Sequence, residues 1–178
     1  MRLKTTFFLL LILAFLLIPK SSTAEEPKTT LILVRHAEKV LNFSTDPDLT
    51  PEGKARAEEL AYALGLMDIQ AVYSTPYRRT RLTALPTAEA QGIPVQEYNP
   101  GNEKKFIQEI AARHKGRNVL IVGHSNTIPR LANAAAGNDR FDDLPDSVYD
   151  NLFFVTIEAE GPASVIRLRF GKRTPGEG

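Results

Sequence analysis

The chain has 178 residues, enough for one domain around a single packed core. It contains no cysteine, which excludes disulfides, a thiol nucleophile and thiolate-held metal. Its 22 Lys and Arg stand against 21 Asp and Glu, a net charge of +1, so no global basic field argues for a nucleic-acid partner.

At the N-terminus, Arg2 and Lys4 precede an unbroken apolar run from Phe7 to Ile18. Pro19 breaks the run and Ser22-Thr23-Ala24 supplies small residues. This is the pattern of a secretory signal peptide over residues 1–24, with export to the periplasm or the medium. The run is shorter than the roughly 20 residues of a spanning helix, and an uncleaved anchor is the rival reading. Cleavage would remove Arg2, Lys4 and Lys20 and no acids, taking the net charge from +1 to −2.

Thr29–Val34 then reads as a buried strand. Thr50 and Pro51 mark a helix start, as N-cap and first helical residue, and Gly65 marks its end. Ala71-Val72-Tyr73 is a short strand, followed by a helix from Tyr77 to Ala90 that Pro86 is expected to interrupt. Ile93–Tyr98 predicts a third strand, Glu103–His114 a helix, Asn118–Val122 a fourth strand, and Thr127–Ala136 a helix stopped by Gly137. Leu152–Ile157 and Ser164–Phe170 read as a hairpin. Repeated strand–helix alternation predicts an α/β fold: a three-layer αβα sandwich, its sheet mostly parallel with an antiparallel edge hairpin near the C-terminus. Residues 25–178 form the one domain, and 171–178 read as a polar, disordered tail.

Two of the three histidines follow apolar strands directly: Leu31-Ile32-Leu33-Val34 leads into Arg35-His36, and Val119-Leu120-Ile121-Val122 into Gly123-His124. In an open α/β sheet such strand ends face the ligand crevice. A neutral imidazole with one nitrogen pinned and the other free is a good nucleophile toward phosphorus. The neighbouring guanidinium supplies a matched fork for the phosphoryl oxygens. A lone strand-end histidine would more simply be a satisfied structural residue, but His36 has company. Ser74 to Ala84 opens a helix whose N-terminus offers free N–H groups to an anion, and it carries Arg78, Arg79 and Arg81. Arg79 and Thr83 share one face of it. His124 reads either as a structural histidine or as a second phosphate contact. His114 decorates a helix end.

Val34-Arg35-His36-Ala37-Glu38 resembles the Arg-His-Gly/Ala-Glu signature of the histidine phosphatase superfamily, also called phosphoglycerate mutase-like. Asn42 stands where that family often has a phosphate-contacting asparagine. Asp48-Leu49-Thr50-Pro51-Glu52-Gly53 resembles its Leu-Thr-x-x-Gly helix start, Ser74–Ala84 its Ser-x-x-x-x-Arg-x-x-x-Thr-Ala segment, and Val122-Gly123-His124-Ser125 its second histidine motif. The resemblance covers residues 29–170, and its spacing selects Arg79 over Arg78 and Arg81.

The resemblance implies a metal-independent phosphatase without cofactor, acting on a small phosphorylated substrate. His36 would attack phosphorus and become a phosphohistidine, Arg35, Asn42, Arg79 and His124 would hold the phosphoryl oxygens, and water would hydrolyse the intermediate. The family draws its general acid from between the second arginine and the second histidine, which points to Glu97, with Glu38, Asp146 and Asp150 as alternatives. The acidic loop Asp142–Asp146 reads as solvated, or as able to fold over the site. The Arg79–His124 interval holds one strand and one helix, so an open site without a substrate-covering cap is expected. A phosphotransferase or mutase and a catalytically silent phosphate-binding module are the rival readings. A histidine-based metal hydrolase would need ligand spacings that are absent here.

Overall fold

A computed structural model describes residues 27–159 and 161–175. The expected export segment, residues 1–24, lies outside them. Six strands form one sheet: β1 (Thr29–Arg35), β2 (Ile69–Ser74), β3 (Val95–Glu97), β4 (Asn118–Gly123), β5 (Asn151–Ile157) and β6 (Ser164–Arg169). Their order across the sheet is β3-β2-β4-β1-β5-β6. β1 to β4 run parallel, and β5 and β6 add an antiparallel hairpin at the edge, as predicted.

Four helices connect the described strands: α1 (Pro51–Ala63), α2 (Arg78–Ala90), α3 (Glu103–Arg113) and α4 (Thr127–Ala136). Alternate residues of β1 face opposite layers, as the two-residue period of a strand requires. Ile32 and Val34 pack with Leu60 of α1, Leu64 at its C-cap, and Ala84 and Ala88 of α2. Leu31 and Leu33 pack with Ile107 and Ile110 of α3 and Ile128 and Leu131 of α4. All four β1 side chains are 0% exposed, and each contributes roughly 2 kcal/mol of burial. This continuous apolar run is the mark of a central parallel strand covered on both faces.

The local signals behave as their chemistry dictates. Thr50 caps α1 by accepting from Gly53 N, with Pro51 opening the helix. Gly137 ends α4 in the left-handed region, at φ 70°. Helix α2 differs from expectation: it runs unbroken through Pro86, forgoing only the bond that residue's missing N–H would have made. The C-terminal tail differs more. Residues 171–175 are held: Thr174 is buried, its N donates to Asp150 Oδ2, and its Oγ1 accepts from Tyr149 N. Lys172 O accepts from Arg56 Nη2. A short polar tail carries no sign of this in its composition, because its partners lie far away in the chain.

Candidate active site

The ends of β1 and β4 are in register, Arg35 opposite Gly123, so His36 and His124 emerge side by side. His36 N donates to Gly123 O at 2.9 Å, and the two imidazole rings lie 5.5 Å apart, edge to face. β2 ends on the other side of β4, with Ser74 opposite Val122, and brings Thr75 and the start of α2 to the same crevice. The connections leaving β1 and β4 cross to opposite faces of the sheet, so the site is a topological switch point.

His36 is 3% exposed. Its Nδ1 lies 2.8 Å from Ala37 O, and a carbonyl can only accept, so Nδ1 carries the proton and Nε2 keeps its lone pair. Burial pushes His36 down to about 3, and the nearby Arg35, Arg79 and His124 add to the shift against the Ala37 hydrogen bond. The ring is therefore neutral at physiological pH. Its support is precise: Ala37 N donates to Thr83 Oγ1, and Thr83 Oγ1 donates to Arg79 O. One threonine thus ties the nucleophile loop to the helix that carries the second arginine.

Arg79 Nη2 lies 3.4 Å from His124 Nδ1, with its guanidinium 4.4 Å above the Tyr77 ring. Burial takes His124 down to about 4, helped by Arg79, Arg35 and Lys39. Arg35 is buried at 3% exposure and spends Nη1 on the carbonyls of Pro145, Asp146 and Val148. Its Nε and that of Arg79 are both buried without a hydrogen-bond partner. Two buried guanidinium N–H donors without a protein partner beside two neutral imidazoles are the kind of group that binds an anion. Of the three arginines, Arg79 is the one that lies beside His124. Arg78 is turned away to Asp48, and Arg81 to Glu97.

The other sequence-predicted residues are not gathered here. Glu97 accepts from Arg81 Nη1 at 2.7 Å on the surface and lines a separate cavity of about 340 Å³ beside α3, with Lys105 and Arg113. It sits on β3, three strands from β1, about 14 Å across the sheet. Asn42 is exposed, and its Oδ1 accepts from Ser44 N in a local turn. Glu38 forms a two-oxygen pair with the buried Arg56 and so holds α1. Asp150, 1% exposed, binds Arg169 and Thr174. Burial raises its pKa, but the bonds from Thr174 and Arg169 outweigh this and hold it below the usual carboxylate range. Asp146 is fully exposed, with Oδ1 3.8 Å from Arg35 Nη2. The acidic loop is thus partly built in rather than merely solvated: Leu144 and Val148 are buried and Leu144 N donates to Ser125 O.

Sequence reasoning missed the aromatic walls. Tyr149 stacks on Arg35 at 4.2 Å and lies 6.1 Å from the His36 ring, and Tyr77 lies 5.2 Å from His124. It also missed Asp46, which accepts from Arg78 N and approaches Arg79 Nη1 to 3.8 Å. Apolar residues in and just after the acidic loop, Leu144 and Val148, were a signal that this loop packs against something. Leu41 and Phe43, on the loop tied down by Asp46, are almost wholly exposed at 87% and 109%. Among the described residues, no group of three or more His, Asp or Glu side chains is arranged to hold a metal ion.

Residues 31–100 match the model of the Histidine phosphatase superfamily (branch 1). Phosphoserine phosphatase 1 of Hydrogenobacter thermophilus is 45% identical over 71 residues, which cover 36% of this chain and 34% of that protein. A probable phosphatase of Schizosaccharomyces pombe is 33% identical over 85 residues, covering 44% of this chain and 30% of its own length. The matched segment therefore spans about a third of these curated relatives. The structure of the protein histidine phosphatase SixA complexed with tungstate superposes with a TM-score of 0.64 at 16% identity, over 79% of this chain and 96% of that one, a likeness of fold alone. The matched segment carries Arg35, His36 and Arg79, the sheet adds His124 from outside it, and over residues 31–100 the chain is similar to the histidine phosphatase superfamily.

Proposed function

We propose that this protein is a phosphatase that hydrolyses phosphomonoesters or similar phosphoryl groups through a phosphohistidine on His36. The observation that carries this reading is the neutral, pinned imidazole of His36 beside two buried guanidinium groups with unpaired Nε–H. Arg35, Arg79 and His124 hold the equatorial oxygens of the phosphoryl group. His36 Nε2 attacks phosphorus, the bond to the leaving oxygen breaks, and that oxygen takes a proton. Water then attacks the phosphohistidine, breaking the N–P bond and releasing inorganic phosphate. Positioning and charge neutralisation supply the catalysis, and no step calls for a metal. Asp146, from the loop held by Arg35, takes the place of Glu97 as the candidate acid. The phosphatase names of the curated relatives support the reaction class. Export of the chain on residues 1–24 is part of the proposal, and N-terminal sequencing of protein recovered outside the cytoplasm tests it.

The experiment uses a chromogenic phosphomonoester with chelator present. Wild type turns over and His36→Ala does not. Equal activity in the variant refutes the nucleophile, loss of activity on adding chelator refutes the metal-independent route, and binding without turnover in wild type leaves a phosphate-binding module. Asp146→Asn slows poor leaving groups more than good ones; an equal effect on both removes Asp146 as the acid.

A further inference from the structure

His124 is joined to two buried hydroxyls that the mechanism above does not use. Its Nε2 lies 2.9 Å from Thr75 Oγ1, and Thr75 Oγ1 lies 2.9 Å from Thr80 Oγ1. Thr80 Oγ1 in turn reaches Thr75 O at 2.9 Å and Tyr77 O at 2.8 Å. Both threonines are 0% exposed, so no bulk water competes for these bonds.

Donor and acceptor chemistry orients the chain. Carbonyls only accept, so the single hydrogen of Thr80 goes to one of them. Thr80 Oγ1 must then accept from Thr75, and Thr75 Oγ1 accepts from His124 Nε2–H. At the other side of the ring, Arg79 Nη2 can only donate, which makes His124 Nδ1 an acceptor. Both ends of the ring give the same answer. The neutral His124 carries its proton on Nε2, facing the threonines, and turns a bare lone pair toward Arg79.

That lone pair is the wrong partner for a phosphoryl oxygen, which also only accepts. When an anion draws Arg79 onto itself, Nδ1 meets an oxygen and must acquire a proton. We propose that Thr75 and Thr80 are positioning residues whose hydroxyl chain fixes the His124 tautomer, so that binding of an oxyanion at this site takes up one proton on His124 Nδ1. The inference rests on the anion-site reading above. It gives the site a built-in preference for substrate delivered together with a proton. The charged and titratable groups around His124 are Arg79 from α2, Arg35 and His36 at the end of β1, and Lys39 from the loop after it, with the Tyr77 ring packed alongside. The cations keep His124 neutral in the free protein, and an anion between them reverses their effect.

Calorimetric titration with tungstate, a dianion throughout the neutral range, tests this in buffers of different ionisation enthalpy. Wild type takes up close to one proton, and its Kd weakens about tenfold from pH 6 to pH 7. His36→Asn, which removes the other imidazole at the site, keeps that slope. Thr75→Ser keeps it as well. Thr75→Val frees the ring to present Nδ1–H without an added proton, so binding persists with a flat pH profile, and His124→Gln, whose amide donates at any pH, is also flat. A flat wild-type profile, or an undiminished slope in Thr75→Val, overturns the proposal. Absence of tungstate binding in wild type overturns the anion site itself, a separate outcome from either.

Discussion

Burial of a neutral His36 has a cost that acid reveals. In the unfolded chain this histidine titrates near 6.5, while in the folded protein burial holds it at about 3. Between those values the unfolded state binds the extra proton, so stability rises with pH through the window and is lost as pH falls from 6.5 toward 3. Linkage over that shift amounts to about 3 kcal/mol lost between roughly pH 7 and pH 4. His36 is 3% exposed, so solvent screening reduces this little. Such a loss is a large share of the 5–15 kcal/mol typical of a domain. The assay is urea unfolding of wild type and His36→Asn at a series of pH values. The two stability curves converge by about 3 kcal/mol on acidification, because the variant lacks the titrating group. Parallel curves would refute the claim that His36 is buried neutral, and with it the ground for calling it a ready nucleophile.

Other predictions follow from single contacts. Thr83→Val leaves Ala37 N–H without its acceptor and costs about 1–3 kcal/mol in chemical denaturation; kcat falls as His36 loses its support. Glu97→Gln leaves kcat and KM unchanged on good and poor leaving groups alike and alters stability by less than about 1 kcal/mol, since its pair with Arg81 is on the surface; a selective loss on poor leaving groups would restore it as the acid. Asp150→Asn removes the carboxylate that the half-exposed Arg169 and Thr174 N bind, lowers stability by about 1–3 kcal/mol and exposes residues 171–175 to protease.

Much of this site was legible before the fold was known, for identifiable reasons. Arg35-His36 and Gly123-His124 each follow four consecutive apolar residues, and strands of that kind in an α/β chain end at the ligand crevice. Arg79 was singled out from Arg78 and Arg81 only by the spacing of the family segment that Ser74–Ala84 resembles; helical period alone left the three open. The acid was not legible. Glu97 stood in the right interval of sequence, but β3 lies at the sheet edge, beyond β2 and β4, where Arg81 neutralises it. Asn42 likewise fitted a spacing, yet its side chain closes a local turn.

The sequence by itself determined the alternation of strands and helices, the burial of β1, and which two histidines stand at strand ends. These follow from short-range periods of two and about 3.6 residues, which any segment carries within itself. Tertiary structure alone decided the protonation of the site and the company it keeps. The carbonyl of Ala37 fixes the proton on His36, Thr75 and Thr80 fix it on His124, and Tyr149 and Asp146 reach Arg35 across more than a hundred residues. A tautomer depends on which acceptor stands within 3 Å of a nitrogen, and that distance exists only once the chain has folded.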